Sequence, residues 1–242
     1  MSSTASPSAG PPIEPSDPSI APAWHTAIVL LVMLGLSFFG AHHVDLASTS
    51  RTHGRASKYL IVIAFEWSVV AFIWWGLRRR GIGISDLIGG SWARPIYLLR
   101  DLGIGIAFIL IFGGVVLQGL THLLKATPPQ TMRAMMPQTR AEMILWVLVS
   151  LTAGFCEEVI FRGYLQRQFS TLSHSFVAGI VLQAIVFGLS HGYQGWRFMS
   201  IISFYGVCFG LLAHWRHSLR PGMLGHALQD TAGGLLARFL MR

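Results

Sequence analysis

Acids, a guanidinium and imidazoles stand in this chain where apolar surroundings should admit none. Glu157 and Glu158 are adjacent inside the run LTAGFCEEVIFRGYL, and Arg162 follows four residues after Glu158. His191 lies in QAIVFGLSHG and His226 in GMLGHALQD, with Asp230 four residues further on. An ionisable residue at mid-membrane costs roughly 2.5–3.5 kcal/mol even on the lenient insertion scale, so each needs a functional or pairing reason. On a helix Glu158 and Arg162 pair acid-first at i,i+4, the favourable order. Glu157 points about 100° away around the axis. The arginine cannot neutralise both, which leaves one carboxylate for another partner. Alone, a Glu/Arg pair reads as a structural knot and a histidine as a hydrogen-bonded packing residue. Two histidines near an acid-bearing segment add groups that exchange protons near neutral pH.

The elements that must position these groups follow from the hydropathy. The 242 residues are 52% hydrophobic and 12% charged, with a mean hydropathy of +0.55. A soluble domain carries about twice that charged fraction. Seven apolar segments run at about 25–43, 59–77, 101–124, 141–168, 175–191, 197–214 and 221–240. Most approach the ~20 residues that span hydrocarbon. The sequence therefore predicts an all-α, polytopic transmembrane helix bundle of about seven spans.

Residues 1–23, rich in Ser, Pro and Ala and free of Lys and Arg, predict a disordered tail without the basic region of a secretory signal. Residues 24–140 form N-terminal helices and loops, and 141–240 the core that carries the chemistry. Residues 78–100 read as a polar connection, and the cluster Arg78 to Arg80 favours a cytoplasmic N-terminus.

The formal net charge is +8, but the basic residues lie between apolar segments, where loops meet anionic headgroups. The expected partner is the bilayer, not nucleic acid. Cys156 and Cys208, both in apolar runs, read as buried thiols. Gly206 and Gly210 form a small-xxx-small pair suited to close helix approach. Glu66, in IVIAFEWSVV, is a further intramembrane acid. A proton-coupled carrier would use such a group; otherwise it pairs across helices, with Arg162 or a histidine.

If spans four and five form a hairpin turning at about 169–175, Glu157 and His191 differ in depth by roughly one helical turn. His226 follows Pro221 closely and sits shallow unless its span begins below the surface. The polar run from Arg162 to Gln168 suggests that span four projects beyond the hydrocarbon, which lets all three converge.

These residues resemble the CPBP intramembrane protease family, which includes the type II CAAX prenyl endopeptidases and bacterial relatives linked to bacteriocin processing and self-immunity. EEVIFR at 157–162 is similar to its EExxxR motif, Phe187 with His191 to FxxxH, and His226 with Asp230 to HxxxN/D. The resemblance covers roughly residues 141–240. It implies a metal-free intramembrane endopeptidase of a bacterial or archaeal cell membrane, needing no cofactor and acting on a peptide or protein substrate at the membrane. Glu157 would be general base on a water, with His191 holding or polarising that water. His226 and Asp230 would stabilise the oxyanion, and Glu158 with Arg162 would organise the site. Where the motif has Asn, Asp230 departs from it: it is either protonated and donating, or it orients His226.

Other readings use the same residues. Zinc bound by Glu157, His191 and His226 would leave a position for water, although no HExxH pair is present. A non-catalytic membrane scaffold or immunity protein would keep the residues without cleaving.

Overall fold

Hydrocarbon offers no water to satisfy backbone polar groups, so apolar runs of this length are stable only as helices. The computed structural model describes residues 19–42 and 52–240. The helices are α1 (Ala23–His42), α2 (Thr52–Arg78), a short α3 (Ile84–Ile88), α4 (Pro95–Leu123), α5 (Gln130–Met135), α6 (Arg140–Ser173), α7 (Phe176–Leu189), α8 (Trp196–Arg216) and α9 (Arg220–Leu240), with no strand among the described residues. Gly54–Arg78 of α2, together with α4, α6 and α8, is long and apolar enough to cross a membrane, while Ala23–Phe39 and Phe176–Leu189 are apolar but shorter. The chain is an all-helical integral membrane bundle. Of the tail expected to be disordered over 1–23, residues 1–18 lie outside the described residues. At its end Ala21 is fully buried, and the Gln168 amide clamps both its N–H (3.2 Å) and its carbonyl (2.7 Å).

α6 is the central rod, packed by α2, α7 and α9. At 34 residues it is about 50 Å long, well beyond the ~30 Å of hydrocarbon. Its start is fixed by a capping box. Thr139 Oγ1 accepts the Glu142 N–H at 3.2 Å, and Glu142 Oε2 accepts the Thr139 N–H at 2.9 Å. From Glu158 to Leu165 the rod winds as a π-helix, every residue of it buried. Such turns concentrate at functional sites. The polar run that follows Arg162 is turned onto neighbouring helices, not out into water: Gln166 Nε2 donates to the Gly210 carbonyl at 3.2 Å, and Gln168 holds Ala21.

Close backbone contacts set the register. The α6–α7 hairpin turns through His174, which is left-handed (φ 53°), and Ser175 caps α7 by accepting the Ala178 N–H. Between α7 and α8, a Cβ on Gly206 would come within 3.1 Å of Ala184 Cα, and one on Gly210 within 2.9 Å of Gln183 Nε2. The expected small-xxx-small approach thus brings α8 onto α7. Gly154 does the same for α6 and α9, since a Cβ there would lie 2.8 Å from the Met223 carbonyl oxygen and 2.7 Å from Ala227 Cβ. That crossing lays α9 directly against the two glutamates.

Candidate active site

His226 is the hub of the site. Its Nδ1 lies 3.2 Å from Glu158 Oε1, so Nδ1–H donates and Nε2 faces the remaining carboxylates. Nε2 is 3.6 Å from Glu157 Oε2 and 3.5 Å from Asp230 Oδ2. Adjacent acids of α6 thus address opposite nitrogens of one imidazole, as their ~100° separation around a helix allows. Asp230 reaches the ring from one turn along the same helix, and its own carbonyl accepts the Trp146 indole N–H at 2.8 Å.

Behind this hub stands Arg162. Its Nη1 donates to Glu158 Oε1 at 3.0 Å, with both side chains essentially fully buried. The guanidinium lies 4.2 Å from the Phe187 ring centroid and 5.0 Å from that of Phe209, so aromatic faces supply part of what water would. Nε and Nη2 of Arg162 and the second oxygen of each glutamate have no hydrogen-bond partner. The cluster is held in place but not saturated.

His191 stands just past the end of α7. Its Nδ1 donates to the Phe187 carbonyl at 2.8 Å, and its ring meets the Phe187 ring edge-on at 4.9 Å. Engaging Nδ1 leaves Nε2 as the acceptor of the neutral ring. Phe187 also stands edge-on to His226, 6.4 Å away, so one phenyl ring separates the two imidazoles and carries the arginine. His191 is within electrostatic reach of Asp230. Among the described residues no three His, Cys, Asp or Glu side chains are arranged to hold a metal ion.

Two further groups face the cluster. Glu66 of α2 is buried and within electrostatic reach of Glu157, His226 and Asp230, while Arg162 is engaged with Glu158. Tyr193, in the 3₁₀ turn Gly192–Gln194, is missing from the motifs. Burial pushes its phenol up to about 12, the Gln194 amide hydrogen bond opposes this, and negative charge on Glu157, Asp230 and Glu66 adds to the rise. It is a neutral O–H donor at any working pH. Glu66 was visible as an intramembrane acid, although only long-range packing decides what it faces. Nothing local distinguishes Tyr193 from a loop tyrosine.

Searches of curated proteins and of solved structures give no match. Residues 139–232, which carry every group above except Glu66, match the family described as Type II CAAX prenyl endopeptidase Rce1-like.

Proposed function

From a chain whose residues 139–232 belong to the Rce1-like family of CAAX proteases, we propose an intramembrane glutamic endopeptidase that hydrolyses a peptide bond of a membrane-associated substrate with water activated by Glu157. The observation that carries this reading is the placement of His226 among Glu157, Glu158 and Asp230 inside a helical bundle. A fixed imidazole beside an incompletely partnered carboxylate is what a base and an electrophilic donor require.

Glu157 takes a proton from the water as its oxygen adds to the scissile carbonyl, and passes that proton to the departing amine as the C–N bond breaks. His191, with Nδ1 engaged, offers Nε2 to hold the water. His226 is oriented by donation to Glu158. In its doubly protonated form its Nε2–H is the donor for the developing oxyanion. Asp230, 3.5 Å from that nitrogen, is an orienting acid for His226, so of the two roles open to it this one fits the contacts better. Arg162 fixes Glu158, and the Glu158–Arg162 unit sets the angle of the imidazole.

The substrate class follows the family description: a peptide segment anchored at the membrane, with a prenylated C-terminal peptide the first candidate. A fluorogenic prenylated peptide and its unprenylated twin test this on purified, detergent-solubilised protein. The expected result is cleavage of at least one of the pair, with the prenylated form favoured in kcat/KM. Equal cleavage of both would remove prenyl recognition but keep the peptidase. Cleavage of neither, nor of any member of a peptide library, by folded protein would overturn the proposal.

A further inference from the structure

Among the described acids within electrostatic reach of His226, Glu66 is outside the family motifs. It enters from α2, outside the matched region, and is only 6% exposed. One of its carboxyl oxygens, Oε2, is buried without a hydrogen-bond partner. Its position is fixed at the neighbouring residue, where Trp67 stacks on Phe155 of α6 with ring centroids 5.3 Å apart and planes at 22°. Trp67 follows Glu66, and Phe155 precedes Cys156 and Glu157, so the stack pins α2 against the stretch of α6 that ends in the base. The groups within electrostatic reach of Glu66 are Glu157 and Cys156 from α6 and His226 and Asp230 from α9, with Tyr193 from the 3₁₀ turn.

The charges decide what such a group can be. Arg162 balances Glu158. Glu157, Asp230 and Glu66 then share the surroundings of His226, and like charges in one poorly solvated site do not all ionise. Glu157 has a side-chain exposure of 16% and Asp230 of 38%, so Glu66 is the most secluded of the three. An acid in that position is costly as an anion and inexpensive as a neutral O–H donor.

We propose that Glu66 is a positioning residue for the reaction: a neutral carboxylic acid, supplied from α2, that directs its O–H toward Glu157 and holds that carboxylate in the orientation and charge state of a base. This rests on the peptidase reading and adds to it a residue from the N-terminal half. Glu66 donates a hydrogen bond without losing its proton, so the proton taken from water still travels through Glu157 to the leaving amine. The active centre is thereby completed by a helix that the family match does not include.

The test compares Glu66→Gln and Glu66→Leu with the full-length parent, with Glu157→Gln run alongside, reading kcat, KM, thermal midpoint and pH profile. Gln keeps a neutral donor of the same shape; Leu removes it. The expected result is a kcat for Glu66→Leu at least tenfold below the parent, at unchanged KM and an equal or higher midpoint. Glu66→Gln should restore most of that loss, with a pH profile extended on its alkaline side because position 66 can no longer ionise. Parental kcat in Glu66→Leu would overturn the proposal. So would a Gln variant as impaired as Leu, or a kcat loss that only follows a lowered midpoint. If Glu157→Gln itself stays active, the peptidase reading fails, whatever position 66 does.

Discussion

The rod α6 carries two buried acid–arginine pairs, and they are finished to different degrees. At its N-terminal end Glu142 accepts Arg55 Nε at 2.9 Å, the Gln138 N–H at 2.7 Å and the Thr139 N–H at 2.9 Å. Both of its oxygens are engaged, and it sits at a helix N-terminus that favours negative charge. At the centre of the same rod Glu158 shares one oxygen between Arg162 and His226, while its other oxygen and two of the arginine's nitrogens lack hydrogen-bond partners. The first pair is a clamp with nothing left to offer. The second leaves polar atoms of Glu158 and Arg162 without partners next to Glu157 and His226. Incomplete satisfaction of buried polar groups is costly, and along α6 the chain accepts that cost at Glu157, Glu158, Arg162 and Gln166 but not at Glu142.

Mutations separate the two. Glu157→Gln should have the largest effect on activity, a loss of about 10²- to 10⁴-fold in kcat as for other general bases, with folding near normal by gel filtration and thermal unfolding. Arg162→Ala should lower both stability and activity. It strands Glu158 in a dry interior, at a cost of about 3–5 kcal/mol, read as a fall in the unfolding midpoint. Arg55→Met should cost less, about 1.5–3 kcal/mol for one charged hydrogen bond, because two backbone N–H groups still hold Glu142. Its kcat should stay at the parental level, and a large kcat loss there would erase the contrast between the two pairs. Asp230→Asn should lower kcat by less than about tenfold, the size of a single neutral hydrogen bond, since an amide can still orient His226. Complete loss would instead assign a carboxylate function to position 230. Tyr193→Phe, which removes one phenol donor at the edge of the cluster, should be the mildest, about threefold in kcat.

How much of this could be read from the residues differs between the halves of the chain. Helix content was legible from length and hydropathy alone, because a bilayer leaves the backbone few options. Glu157, Glu158 and Arg162 stood out because their types contradict their surroundings, and helical spacing gave the 158–162 pair directly. The contact of His226 with both glutamates was not legible. It depends on Gly154 letting α9 touch α6, and in a chain with 26 glycines nothing marks that one. The π-helical stretch of α6 has no local signature either, since its residues would also suit an α-helix. The polar run after Arg162 read as span four projecting beyond the hydrocarbon, but that its amides are spent on Ala21 and Gly210 was not legible, because those partners are distant in sequence. Glu66 was visible as an anomaly, but which helix it would face depends on the Trp67–Phe155 stack.

The central claim, a metal-free centre in which Glu157 activates water, is tested most directly by peptide cleavage. Purified full-length protein and its Glu157→Gln variant would be assayed on one labelled peptide, each with and without a strong chelator. Cleavage by the parent that persists under chelation and disappears in the variant is the predicted result. Cleavage that survives Glu157→Gln, or that the chelator abolishes, would contradict it.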